Sequence, residues 1–158
     1  MSRTVSRVAW HRGALGAVLL TIGLAASACL GAAPSGVPRS GAGAAAAVAF
    51  AESQVGKPYC FGGAGPTCYD CSGLTMRAWQ VGGVLLPHFS GGQYLMFPAV
   101  AMNQLRPGDL VFPADPNQHV ALYVGGGMIV HATHTGDVIR QVPINQVGLG
   151  IVLAVRPH

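Results

Sequence analysis

The segment Asp70-Cys71-Ser72-Gly73-Leu74 constrains this chain more than any other. After it come apolar Leu74, Ala78 and Val81, with Trp79 beside them, and then Gly82-Gly83. That spacing predicts a helix over residues 72–80 with a glycine stop. Cys71 then stands at the helix start, where free backbone N–H groups and the helix dipole favour a thiolate. A thiolate nucleophile still needs a positioned imidazole to manage protons. His119 and His131 lie downstream and are the candidates for that imidazole and for a third, orienting group. Together these residues point to a cysteine hydrolase.

The first residues do not read as part of a folded domain. Arg3, Arg7 and Arg12 precede an apolar run from Ala14 to Leu24, followed by Ala26-Ser27-Ala28. A basic start, an apolar stretch and a small-x-small site make residues 1–28 a secretory signal peptide. The stretch is short for a membrane span of roughly 20 residues. Residues 14–33 nevertheless carry no charge, so an uncleaved N-terminal anchor is the alternative. Cys29 directly follows the small residues, where a bacterial lipoprotein signal carries its lipidated Cys; a residue without a role is the plainer reading. Membrane attachment would therefore run through Cys29 or an uncleaved signal. Residues 29–43 read as a linker and 44–158 as one domain, large enough for a core.

The net charge of +4 does not describe that domain. Beyond Pro34 there remain Arg39, Lys57, Arg77, Arg106, Arg140 and Arg156 against Glu52, Asp70, Asp109, Asp115 and Asp137, a net of +1. With no basic cluster, nucleic acid is not expected as a partner.

Along the domain, helices come first: an Ala-rich one over 43–54, the Cys71 helix, and a short one capped by Ser90. Short strands follow at 110–112, 119–124, 128–132, 138–142 and 151–155. This order predicts an α+β domain with an antiparallel sheet of five or six strands. The Gly125-Gly126-Gly127 connection allows a test of the two histidines. If Val124 pairs with Met128, Ala121 pairs with His131, and His119 shares their face as a diagonal neighbour. A register of the other parity sends the histidines to opposite faces.

Cys60 and Cys68 flank the loop from Phe61 to Thr67 in a chain read as exported, a setting that permits disulfides. A Cys60–Cys68 bridge is expected. Two free thiols, or a zinc site shared with Cys71 and a His, are the alternatives.

The ordered set of segments resembles the NlpC family of cell-wall cysteine peptidases. The segments are Gly56-Lys57-Pro58-Tyr59, Gly62-Gly63, Tyr69 to Leu74, Leu86-Pro87, Ser90 with Gln93, Leu105 to Phe112, His119 to Tyr123, and Met128 to Ala132. The resemblance implies a papain-like fold in which the Cys helix packs on an antiparallel sheet. It implies hydrolysis of peptidoglycan stem peptides, usually between γ-linked D-glutamate and a diamino acid such as meso-diaminopimelate. By the same resemblance Cys71 is the nucleophile, His119 the general base and acid, and His131 its orienting group. Tyr59 falls near the oxyanion site, and Asp70, Ser72, Ser90 and Gln93 fall along the substrate cleft. Neither metal nor cofactor is implied, and a monomer is expected. One position departs: the family often has Arg after Leu-Pro, and this chain has His88. Another acyl transfer at the same Cys–His site, or a binding module on a degenerate peptidase fold, are the competing functions.

Overall fold

The structure is a computed structural model and describes residues 40–158. The signal, Cys29 and most of the expected linker lie outside the described residues. Three helices, α1 (Ser40–Ser53), α2 (Cys71–Val81) and α3 (Ser90–Leu95), precede five strands. The strands are β1 (Leu110–Pro113), β2 (Ala121–Gly125), β3 (Met128–His131), β4 (Arg140–Pro143) and β5 (Ile151–Val155). They form one antiparallel sheet in the order β4-β3-β2-β1-β5. Helix α1 begins at Ser40, so residues 40–43, read from sequence as linker, are helical. Helix α3 also differs in detail. Phe89 holds its N-cap position without a side-chain bond, and Ser90 is buried inside the first turn.

Side-chain alternation divides the sheet into two apolar layers. Leu110, Phe112, Leu122, Val130 and Val155 pack with Leu74, Ala78 and Trp79 of α2 and with Ala47 and Ala51 of α1. The intervening residues Val111, Ala121, Ile129 and Ala154 face the other way, under Val100, Leu105, Val142 and Val147. Small residues let α1 and α2 approach closely. A Cβ on Gly43 would stand 2.5 Å from the Gly82 carbonyl oxygen, and one on Gly82 would stand 2.6 Å from that of Gly43.

Polar ties close the fold where apolar contact cannot. Trp79 Nε1 donates to the Gly108 carbonyl at 3.1 Å, joining α2 to the turn before β1. Asp109 is buried, and Arg156 beyond β5 donates to both its carboxylate oxygens, at 2.7 and 2.8 Å. The Arg106 backbone N–H adds a third bond at 2.7 Å. A buried charge is tolerated when paired and hydrogen-bonded in this way.

Leu74 is fully buried between α2 and the sheet. Leu74→Ala is expected to cost about 3 kcal/mol. Urea denaturation should show a lower midpoint at unchanged slope. A loss below about 1 kcal/mol would contradict this packing.

Candidate active site

Asp70 is the N-cap of α2. Its Oδ1 accepts from the Gly73 N–H at 2.6 Å and from Ser72 Oγ at 3.1 Å, and its Oδ2 accepts from the Gly62 N–H at 3.0 Å. The carboxylate thus starts the helix and holds the 60–68 loop against it. That loop is closed by the Cys60–Cys68 disulfide, with Cα atoms 5.6 Å apart. The bridge overturns both the free-thiol and the zinc alternatives, because the two sulfurs are bonded to each other. Cys71 carries no bridge.

His88 supplies the remaining contact. Its Nε2 lies 2.9 Å from both carboxylate oxygens of Asp70. The residue that departs from the family pattern therefore grips the carboxylate next to the candidate nucleophile. Gly73 makes room for it: a Cβ there would stand 2.0 Å from the Gly63 oxygen and 2.9 Å from His88 Nε2.

The other cleft candidates divide. Ser72 is buried and donates to Asp70. Gln93 is fully buried and bridges α2 to the Pro87 segment. Its Nε2 donates to the Ser72 and Pro87 carbonyls at 2.9 and 2.8 Å, and its Oε1 accepts from Thr75 Oγ1 at 2.7 Å. Ser90 is buried as well. These contacts make Gln93 an internal clamp, while Tyr59 is half-buried beside Cys71. The Tyr59 phenol is pushed above its ordinary pKa by burial, then by Cys71 and Asp70.

The histidines meet as the hairpin test required. Leu122 pairs with Val130 and Tyr123 with Ile129, the register in which Ala121 would face His131. The turn is tighter than the expected three-residue loop: Gly125 pairs with Met128, and a bulge then shifts the register by one. Gly125, Gly126 and Gly127 all have positive φ (98°, 60° and 76°), which only glycine adopts without strain. His119, just before β2, and His131, the last residue of β3, are both buried. His119 Nε2 lies 3.2 Å from His131 Nδ1.

By alternation His131 shares a face with Ile129, whereas α2 packs on the Leu122–Val130 face. The Cys71 sulfur takes the Val120 backbone N–H, just before the start of β2. That donor is next in sequence to His119, and as a backbone group it left no trace in the pattern of side chains.

The electrostatics also reverse an expectation. The Cys71 thiol is pushed above its ordinary value by burial, with Asp70 adding to the rise. The N–H groups of Val120, Ser72 and Cys71 pull the other way without prevailing. Burial, then the neighbouring His131, drives the His119 pKa down to about 4. At neutral pH Cys71 is therefore a thiol and His119 a neutral imidazole.

The profile of the NlpC/P60 family matches residues 56–150. The chain belongs to the NlpC/P60 family. Its NlpC/P60 domain is 42% identical over 108 residues to a probable endopeptidase of Mycobacterium tuberculosis, covering 65% of this chain and 27% of that protein. It is 36% identical over 112 residues to the peptidoglycan endopeptidase RipA of the same species, covering 61% of this chain and 24% of RipA. The chain thus spans about a quarter of the length of these relatives. Among solved structures, the P60 domain of the Mycobacterium avium subspecies paratuberculosis antigen MAP1204 superposes with a TM-score of 0.66 at 30% identity. That match covers 74% of this chain and 96% of the domain. The peptidoglycan hydrolase RipB of Mycobacterium tuberculosis gives 0.66 at 30% identity over 74% of this chain and 65% of its own. The papain-like α+β fold is common to them.

Alkylation by iodoacetamide requires the thiolate. The rate at Cys71, followed by mass spectrometry, is expected to keep climbing with pH past the ordinary thiol range of about 8.5. A plateau below neutral pH would mean a resting thiolate–imidazolium pair instead.

Proposed function

We propose that this protein is an exported cysteine endopeptidase of the bacterial cell wall. It cuts peptidoglycan stem peptides between γ-linked D-glutamate and the adjacent diamino acid. The observation that carries the reading is the buried His119–His131 contact at 3.2 Å, joined to Cys71 through the Val120 N–H. Family membership supports the substrate class, and the sequence pattern of residues 1–29 supports export to the envelope.

The chemistry follows from the neutral pair. His119 uses Nε2 on His131, which leaves Nδ1 for the thiol. For Nδ1 to act as base, the His119 proton must sit on Nε2 and be donated to His131 Nδ1. His119 takes the Cys71 proton as the sulfur attacks the scissile carbonyl. The backbone N–H groups around Cys71, with Tyr59, stabilise the oxyanion; one such donor is worth about 3 kcal/mol. His119 then protonates the leaving amine, and water releases the acyl-enzyme. The imidazolium formed in between is buried, and His131 is the acceptor that holds its second proton.

Digestion of purified muropeptides by the full chain tests this reading. Mass spectrometry should show fragments ending at D-glutamate, absent with Cys71→Ala. His131→Ala should lower kcat by roughly 10- to 100-fold, the effect of leaving a buried donor unsatisfied. No fragments from folded, reduced protein would overturn the reading.

A further inference from the structure

A cavity of about 470 Å³ adjoins the histidine pair. His119, His131, Asp137, Arg140, Val142 and Val147 are among the residues that line it. Tyr59, Asp70 and Cys71 are not among the described residues that line it. In the reaction proposed above, the acyl half of the substrate lies with Cys71 and Tyr59, while the leaving amine takes its proton from His119. His119 is thus the residue that this cavity shares with the proposed proton transfer to the departing amine.

Its charged wall is built rather than incidental. Arg140 is the cross-strand partner of His131 in the β3–β4 ladder. Asp137 holds it: Arg140 Nη2 lies 2.6 Å from Asp137 Oδ1. The same oxygen takes the Val138 N–H at 2.8 Å, and Oδ2 takes the Thr133 hydroxyl. These bonds keep the Asp137 carboxyl at a pKa of about 2, the Thr133 hydroxyl being the largest cause. The chain is anchored here as well, since the Asp137 carbonyl accepts from the Tyr59 N–H at 2.9 Å. Asp137 thus takes three donors. Arg140 spends one of five N–H donors on it and remains largely exposed, its side chain 58% accessible. A fixed guanidinium with spare donors is a carboxylate receptor. The adjoining Val142 and Val147 suit methylene groups.

We propose that this cavity is the subsite for the residue that supplies the leaving amine. Arg140 there recognises an aliphatic side chain ending in a carboxylate. The proposal rests on the endopeptidase reading for its choice of ligand, and it names Arg140 as a specificity determinant rather than a catalytic residue.

Binding to the uncleaving Cys71→Ala protein separates this proposal from that reading. Two stem tripeptides serve as probes, identical except that the side-chain carboxylate of their diaminopimelate is free in one and amidated in the other. Calorimetry should show the free acid binding roughly 10-fold tighter or better, the range for a hydrogen bond to a charged group. In Cys71→Ala/Arg140→Gln the two dissociation constants should converge, and Arg140→Lys should restore part of the difference. Equal affinities in the Cys71→Ala protein, or a preference that survives Arg140→Gln, would overturn the proposal. Fragment analysis with the active protein decides the endopeptidase reading separately.

Discussion

The Asp70 carboxylate organises the site. One side chain caps α2, receives the Ser72 hydroxyl, binds the Gly62 N–H of the disulfide-closed loop and takes the fork of His88. Because α2 begins at Cys71, fixing its first turn also fixes the sulfur. A carboxylate in such a web stabilises a helix start more than an isolated cap does. It also has little capacity left for a substrate amine. Its contribution to the cleft is therefore chiefly to shape it, and its charge raises the thiol pKa.

The second dependence is on the sheet. Two imidazoles can touch only if the β2–β3 register has the right parity, and a two-residue turn alone would give the wrong one. The bulge between Tyr123 and Gly125 restores it. Three consecutive glycines make that local geometry available, since each takes a positive φ. The His119–His131 contact is thus a consequence of turn chemistry several residues away.

These two constraints set the electrostatic character of the centre. Burial dominates at both reacting groups, and it disfavours charge on each of them. At rest these groups are therefore uncharged, and in the proposed mechanism the thiolate and imidazolium form only during the reaction. In the proposed mechanism His131 matters for the same reason, as the acceptor for the buried imidazolium. Farther along the same wall, the Asp137–Arg140 pair keeps a cation next to the histidines without leaving it unpartnered.

Much of this was legible from the chain itself. The helix start at Cys71 and the α+β order follow from capping chemistry and residue periodicity, which are local properties, and the Cys60–Cys68 bridge was expected from two cysteines flanking one loop in a chain read as exported. The histidine contact was legible only as one of two parities, and the bulge before a turn tighter than expected decided between them. What tertiary structure decided was everything that joins distant segments. It put α2 on the face opposite the histidines and brought Cys71 to the Val120 N–H. It buried the thiol deeply enough for desolvation to outweigh the helix start. It folded Gln93 inward and set His88 on Asp70. It also placed Arg140 across from His131. Such outcomes depend on how layers pack and which groups lose water, and those are quantities that no window of sequence contains.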